Sequence, residues 1–128
     1  MHNSIMIADT LMQVYAIDMA TYPNVITDYT IGSFSAFIVR HENGTNLGYV
    51  RIPEGHRFYG TDYDDIRANV HGGLTFSSMD EDGSWVIGFD TSHLGDFVPV
   101  PAMGSFKSKH YWTHSEVFNE LTQLVAQL

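Results

Sequence analysis

The hydrophobic positions change period along the chain. Over residues 4–20, Ile7, Leu11, Val14, Tyr15 and Met19 recur mostly at steps of three and four, the spacing that puts side chains on one face of a helix. Asn3 or Ser4 can cap this helix. Tyr22-Pro23-Asn24 ends it, because proline cannot continue the hydrogen-bond ladder. A short Ile-Met-Ile strand at 5–7 is the competing reading. From residue 25 the pattern turns to β-branched and aromatic types. Residues 25–31 and 34–40, with Gly32-Ser33 between them, predict a hairpin. Asn43-Gly44 predicts another tight turn, since both residues tolerate positive φ. The strand 47–52 should then pair back on 34–40 and stop at Pro53.

Beyond Pro53 the signals shorten. Residues 54–60 read as a loop with two glycines, and Asp62–Ile66 as one helical turn or a polar loop. Strands are predicted at 67–71 and 73–77 around a kink at Gly72-Gly73. Residues 77–83 read as a charged turn without assigned chemistry. Residues 84–89 form an almost continuous apolar run, the mark of a buried strand. A long loop follows at 91–109, holding Pro99, Pro101, Gly95 and Gly104. Thr113 with Glu116 spells a capping box for a helix at 114–127. Its stripe of Val117, Leu121, Leu124, Val125 and Leu128 should pack on the sheet. The fold class is α+β: a mainly antiparallel β-sheet of four to six strands with N-terminal and C-terminal α-helices. The expected organisation is a single domain, with a helical extension at 1–23, a β-rich core at 25–98 and the C-terminal helix at 113–128.

Composition narrows the function. An apolar share of 44% over 128 residues can fill a core, which disfavours disorder. Fifteen acids against six bases give a formal charge of −9. That repels nucleic-acid backbones and anionic membranes, so neither is an expected partner. It suits a basic protein, nucleic-acid mimicry or a merely soluble surface. The absence of cysteine removes disulfides, thiolate zinc sites, iron–sulfur clusters and thiol nucleophiles. The first residues lack a basic segment, and no apolar run approaches about 18 residues. A cytoplasmic location is therefore expected. No Walker loop, Gly-x-Gly-x-x-Gly or Gly-x-Ser-x-Gly occurs, which disfavours dinucleotide redox and P-loop phosphoryl transfer.

The sharpest constellation is Asp90-x-x-His93-x-x-Asp96, directly after the buried strand. Imidazole and carboxylates together hold a divalent metal or run acid–base chemistry, so Asp90, His93 and Asp96 are candidate metal ligands. They are also candidate catalytic residues, together with His71 beside the glycine pair. The alternative is that the acids cap turns and His93 is solvated. Arg51, Arg57 and Arg67 fall in the central stretch, and a guanidinium suits phosphate. Arg51, His56, Arg57, Tyr59 and Tyr63 are the candidate ligand-binding set. The plainer alternative pairs the arginines with Asp62, Asp64 or Asp65, which otherwise hold a cation or stay solvated. Phe58-Tyr59 can stack on a base. The run His110-Tyr111-Trp112-Thr113-His114 reads as an apolar lead-in to the helix with both histidines solvated.

The segments Gly48-Tyr49-Val50, Pro53-Glu54-Gly55-His56, Val70-His71-Gly72-Gly73-Leu74-Thr75-Phe76 and Trp85-Val86-Ile87-Gly88-Phe89-Asp90, running on through His93, Gly95 and Asp96, carry a resemblance. Over residues 27–128 the chain resembles a group of small uncharacterised proteins of bacteriophages and bacterial mobile elements. Members usually carry Cys and Ala where Thr91 and Ser92 stand, and often Tyr at the place of Phe76. Neither departure removes an acid or a histidine. The resemblance implies a phage or mobile-element setting and no catalytic assignment.

Three functions are compatible with these residues. The first is an accessory protein that binds, or binds and hydrolyses, a phosphorylated or nucleotide-like small molecule, countering host defence signalling. His71, Asp90, His93 and Asp96 would act, with Arg51 or Arg57 on the phosphate. The second is an acidic inhibitor of a basic host protein, using the acids at 62–65 and 80–82. The third is a virion or assembly component, forming a homo-oligomer.

Overall fold

The computed structural model describes residues 2–100 and 110–128, with side chains from residue 9 onward. In chain order the elements are α1 (His2–Thr21), β1 (Ile26–Ile31), β2 (Phe34–Arg40), β3 (Asn46–Ile52), a 3-10 turn (Tyr63–Asp65), β4 (Phe76–Met79), β5 (Trp85–Phe89) and α2 (His114–Ala126). The strands form one sheet in the order β1-β2-β3-β5-β4, and every pairing is antiparallel. This is the expected α+β class, with five strands and a helix towards each end. Residues 5–7 are helical. The caps expected of Asn3 or Ser4 lie outside the described side chains.

The turns form where the glycines permit them. Ile31 pairs with Phe34 across Gly32-Ser33, and Gly32 has φ +59°. At the second turn Gly44 has φ +89°, while the Asn43 side chain accepts from the Thr45 N–H and hydroxyl. Along β3 the alternation is strict. Asn46, Gly48, Val50 and Ile52 are buried, and Leu47, Tyr49 and Arg51 are partly exposed. The buried side is covered by α2, whose Val117, Leu121 and Leu124 are fully buried. The capping box forms as expected between Thr113 and Glu116.

Two glycines let aromatic rings cross between strands. Gly48 pairs with Phe89, and Tyr49 with Gly88. A Cβ at Gly48 would stand 2.7 Å from the Phe89 ring, and one at Gly88 would stand 2.4 Å from the Tyr49 ring. Each ring therefore lies over its neighbour's glycine, Phe89 on the helix-covered face and Tyr49 on the opposite one. Only a residue without a side chain leaves that room.

Three local expectations are corrected. No strand forms at 67–71, and the strand placed at 73–77 runs from Phe76 to Met79. The backbone at 69–71 bonds to side chains of α2 and of the residue that caps its C-terminus instead of a ladder. Asn69 N–H donates to Gln127 Oε1, and His71 N–H to Glu120 Oε1. Gly72 and Gly73 follow with φ of +69° and +78°, which no strand accepts. In α1 the inward face is set by Leu11 and Asp18, while Met19 is exposed. Leu11 packs with Phe97 and Tyr111 in a small second cluster. Of the predicted loop at 91–109, residues 101–109 lie outside the described residues.

Candidate functional site

The turn after Val70 and the loop after β5 bring the four candidate acid–base residues together as two pairs. His71 Nε2 lies 2.8 Å from Asp96 Oδ2 and 3.0 Å from Oδ1. A carboxylate only accepts, so the His71 proton is on Nε2 and Nδ1 is its proton-accepting nitrogen. The Asp96 side chain is 6% exposed and also accepts from the His93 N–H. The His71 ring stacks on Trp112 at 3.9 Å. In the second pair, His93 Nε2 stands 3.1 Å from Asp90 Oδ1. It is buried and lacks an aligned hydrogen-bond partner. Asp90 accepts from the Thr75 hydroxyl and the Ser92 N–H. The two imidazoles meet edge to face, with centroids 5.6 Å apart.

Gly72 makes this meeting possible. A Cβ there would fall 2.1 Å from His93 Nε2, so the ring occupies space that any side chain would take. The expected metal centre of Asp90, His93 and Asp96 is not assembled. Among the described residues no group of three or more His, Asp or Glu converges to hold a metal ion. Asp96 faces His71, and Asp90 faces His93 and Thr75.

The ligand-binding set lies elsewhere. Arg51 pairs across the sheet with Val86, whereas Asp90 follows Phe89 at the other end of β5. Four residues of strand separate the two by about 13 Å. Arg51 lies over the Phe37 ring at 4.3 Å, bonds Ser35 and stands 3.6 Å from Asp80. That pairing replaces the expected one with Asp62, Asp64 or Asp65. His56 and Arg57 serve the end of α2. His56 Nδ1 accepts from Phe58 N–H, so Nε2–H donates to the Leu128 carbonyl, and Arg57 donates to that of Gln127. Tyr59 donates to the Gly83 carbonyl. The backbone of Tyr63 bonds Ser77, which also reaches Asp62. Phe58 is partly buried against the core, with the Arg57 guanidinium 4.5 Å from its ring centroid.

A buried polar network was missed in the sequence. Asp18, 6% exposed, accepts from Arg40 Nη2, Asn46 Nδ2 and the His114 N–H, each at 3.1 Å, and from the Tyr111 hydroxyl. It thereby ties α1 to the end of β2, the start of β3 and the first turn of α2, where a carboxylate also complements the helix dipole. His114 is buried, not solvated as expected. It stacks on Tyr22 at 4.0 Å and bonds the Tyr29 hydroxyl. Burial lowers its pKa; Asp18 opposes that and Arg40 adds to it. Burial raises the Tyr111 phenol. The other histidine of that run, His110, is exposed and pairs with Glu116 at 2.7 Å. The signal available was Asp18 standing at a helical position where the apolar stripe fails, but no spacing links it to Arg40.

The sheet face turned away from α2 carries two cavities of about 280 Å³ each, with Tyr49 and Phe76 lining both. One is lined by His41, Asn43, Thr75, Asp90 and Ser92, the other by Phe37, Val39, Met79, Asp80 and Val86. Burial, then the Asp90 charge, raises the Tyr49 phenol. No helix among the described residues is long and apolar enough to cross a membrane. No protein-family model, curated protein or solved structure matches the chain.

Proposed function

We propose that the protein binds a nucleotide-like small molecule, by its base or sugar, in the cavity beside Asp90. The supporting observation is the sequence of groups behind that cavity: Asp90 on its wall, His93 in contact with Asp90, and His71, oriented by Asp96, next to His93. A planar ring would meet Tyr49 and Phe76, while Asp90, Asn43, Thr75 and Ser92 offer acceptors and donors to its edge. Carboxylates crowd this end and Arg51 lies at the other, so the phosphate is the weaker half of the expectation. With a mobile-element setting, the ligand class is that of host signalling nucleotides.

The test is ligand-observed NMR with the four ribonucleosides and their 5′-monophosphates, on wild type and Asp90→Asn. One nucleoside should bind wild type, Asp90→Asn should weaken it by about tenfold or more, and a monophosphate should not tighten it. The proposal fails if no nucleoside binds or if Asp90→Asn binds undiminished.

A further inference from the structure

The second cavity lies on the same sheet face as the first, beyond Tyr49 and Phe76, and has a more apolar lining. Phe37 and Tyr49 stack at 4.9 Å, and Tyr49 meets Phe76 edge to face at 5.5 Å. The aromatic row thus spans β2, β3 and β4, with Val39 and Val86 beside it. Among the described residues no helix packs on this face; α2 is on the other one. Phe76 is 42% exposed. Around the row stand acids. Asp28 is the direct cross-strand partner of Phe37, and the turn after β4 supplies Asp80, Glu81 and Asp82. Among the described residues Arg51 is the one cation placed among them, and it pairs with Asp80 at 3.6 Å.

We propose that this face docks a basic protein surface with an apolar centre. The charge argues for that occupant over the others. A nucleic-acid backbone would meet acids without compensating cations. A second copy would bring the same acidic rim against itself, in a chain of formal charge −9. A partner with lysine or arginine around an aliphatic patch matches both the row and the rim, and the rim would speed its approach. The acids that matter are therefore Asp28 and the 80–82 turn. Asp62 is held by Ser77, which points to the opposite side of β4 from Phe76 and Ser78.

The probe is a synthetic amphipathic peptide of alternating lysine and leucine, with an alternating glutamate–leucine peptide as control. Binding is followed by fluorescence anisotropy, and the footprint by hydrogen exchange. The lysine peptide should bind in a salt-sensitive manner and protect residues 34–40 and 76–80. Asp28→Lys with Asp80→Lys should weaken it by about tenfold or more, and Phe37→Ser should do likewise. His71→Ala and Asp90→Asn should leave it unchanged, which keeps this proposal separate from the Asp90 cavity. Should Phe37→Ser fail to fold, the two charge reversals carry the test. The proposal is overturned by no binding, by equal binding of the charge-reversed protein, by a footprint on another face, by single-stranded DNA binding there instead, or by a dimer that buries this face.

Discussion

The two faces of the sheet are built by the same rule and end differently. Each carries a ring laid over a cross-strand glycine, Phe89 on Gly48 and Tyr49 on Gly88. On one face α2 seals the ring, and Phe89 is 1% exposed. On the other, Tyr49, Phe37 and Phe76 stay partly open and line two cavities. The difference teaches that alternation fixes which residues share a face, while the presence of a covering helix decides whether that face stabilises or is available for binding.

The largest effects should come from the covered face. Phe89→Ala or Leu121→Ala removes a fully buried side chain and should cost about 3–5 kcal/mol, read by urea denaturation. Asp18→Ala leaves Arg40 buried without its partner, side chain 9% exposed, and should also cost about 3–5 kcal/mol. If it costs less than Phe37→Ala does, the network is not what holds α1 to α2. Gly72→Ala forces a positive φ and displaces His93. It should cost about 1–3 kcal/mol, and an NMR spectrum should show the His71 and His93 ring signals shifted.

A pH profile probes the covered side without changing its packing. The folded His114 pKa lies below the unfolded value near 6.5. Through that region the unfolded chain binds more protons, so stability falls as pH drops below about 6.5. His114→Gln, at equal ionic strength, should flatten that slope; an unchanged slope would place its origin elsewhere. The smallest effect belongs to the open face. Phe37→Ala should cost about 1 kcal/mol or less, because solvent already reaches the ring. The open face should instead show in solubility. Protonation of the seven histidines lowers the net negative charge as pH falls, and solubility should be least near the pI of about 4.9. Phe37→Ser should raise that minimum if the aromatic row drives association.

Much of the fold was legible because it rests on local signals. Gly32-Ser33, Asn43-Gly44, the run at 85–89 and the Thr113–Glu116 box each act within a few residues. The failure at 67–71 has the same cause in reverse. Its backbone donors are taken by Gln127 and Glu120, some 50 residues away, and no local pattern announces that. The meeting of His71 with His93 was partly legible, since both stood beside glycine-bearing turns, whereas the His71–Asp96 bond was not. The division into two histidine–carboxylate pairs was not, because it depends on a ring filling the space above Gly72.

By itself the sequence determined the class, the hairpins, the capped C-terminal helix and the acidic balance, all of which follow from periodicity, turn chemistry and composition. Tertiary structure alone decided that Arg51 stands apart from Asp90, that Asp18 and His114 are buried together, and that one aromatic face remains open. Those outcomes depend on strand order and helix placement. They bring together residues up to 96 positions apart, and separations of that size leave no trace in any local pattern of residues.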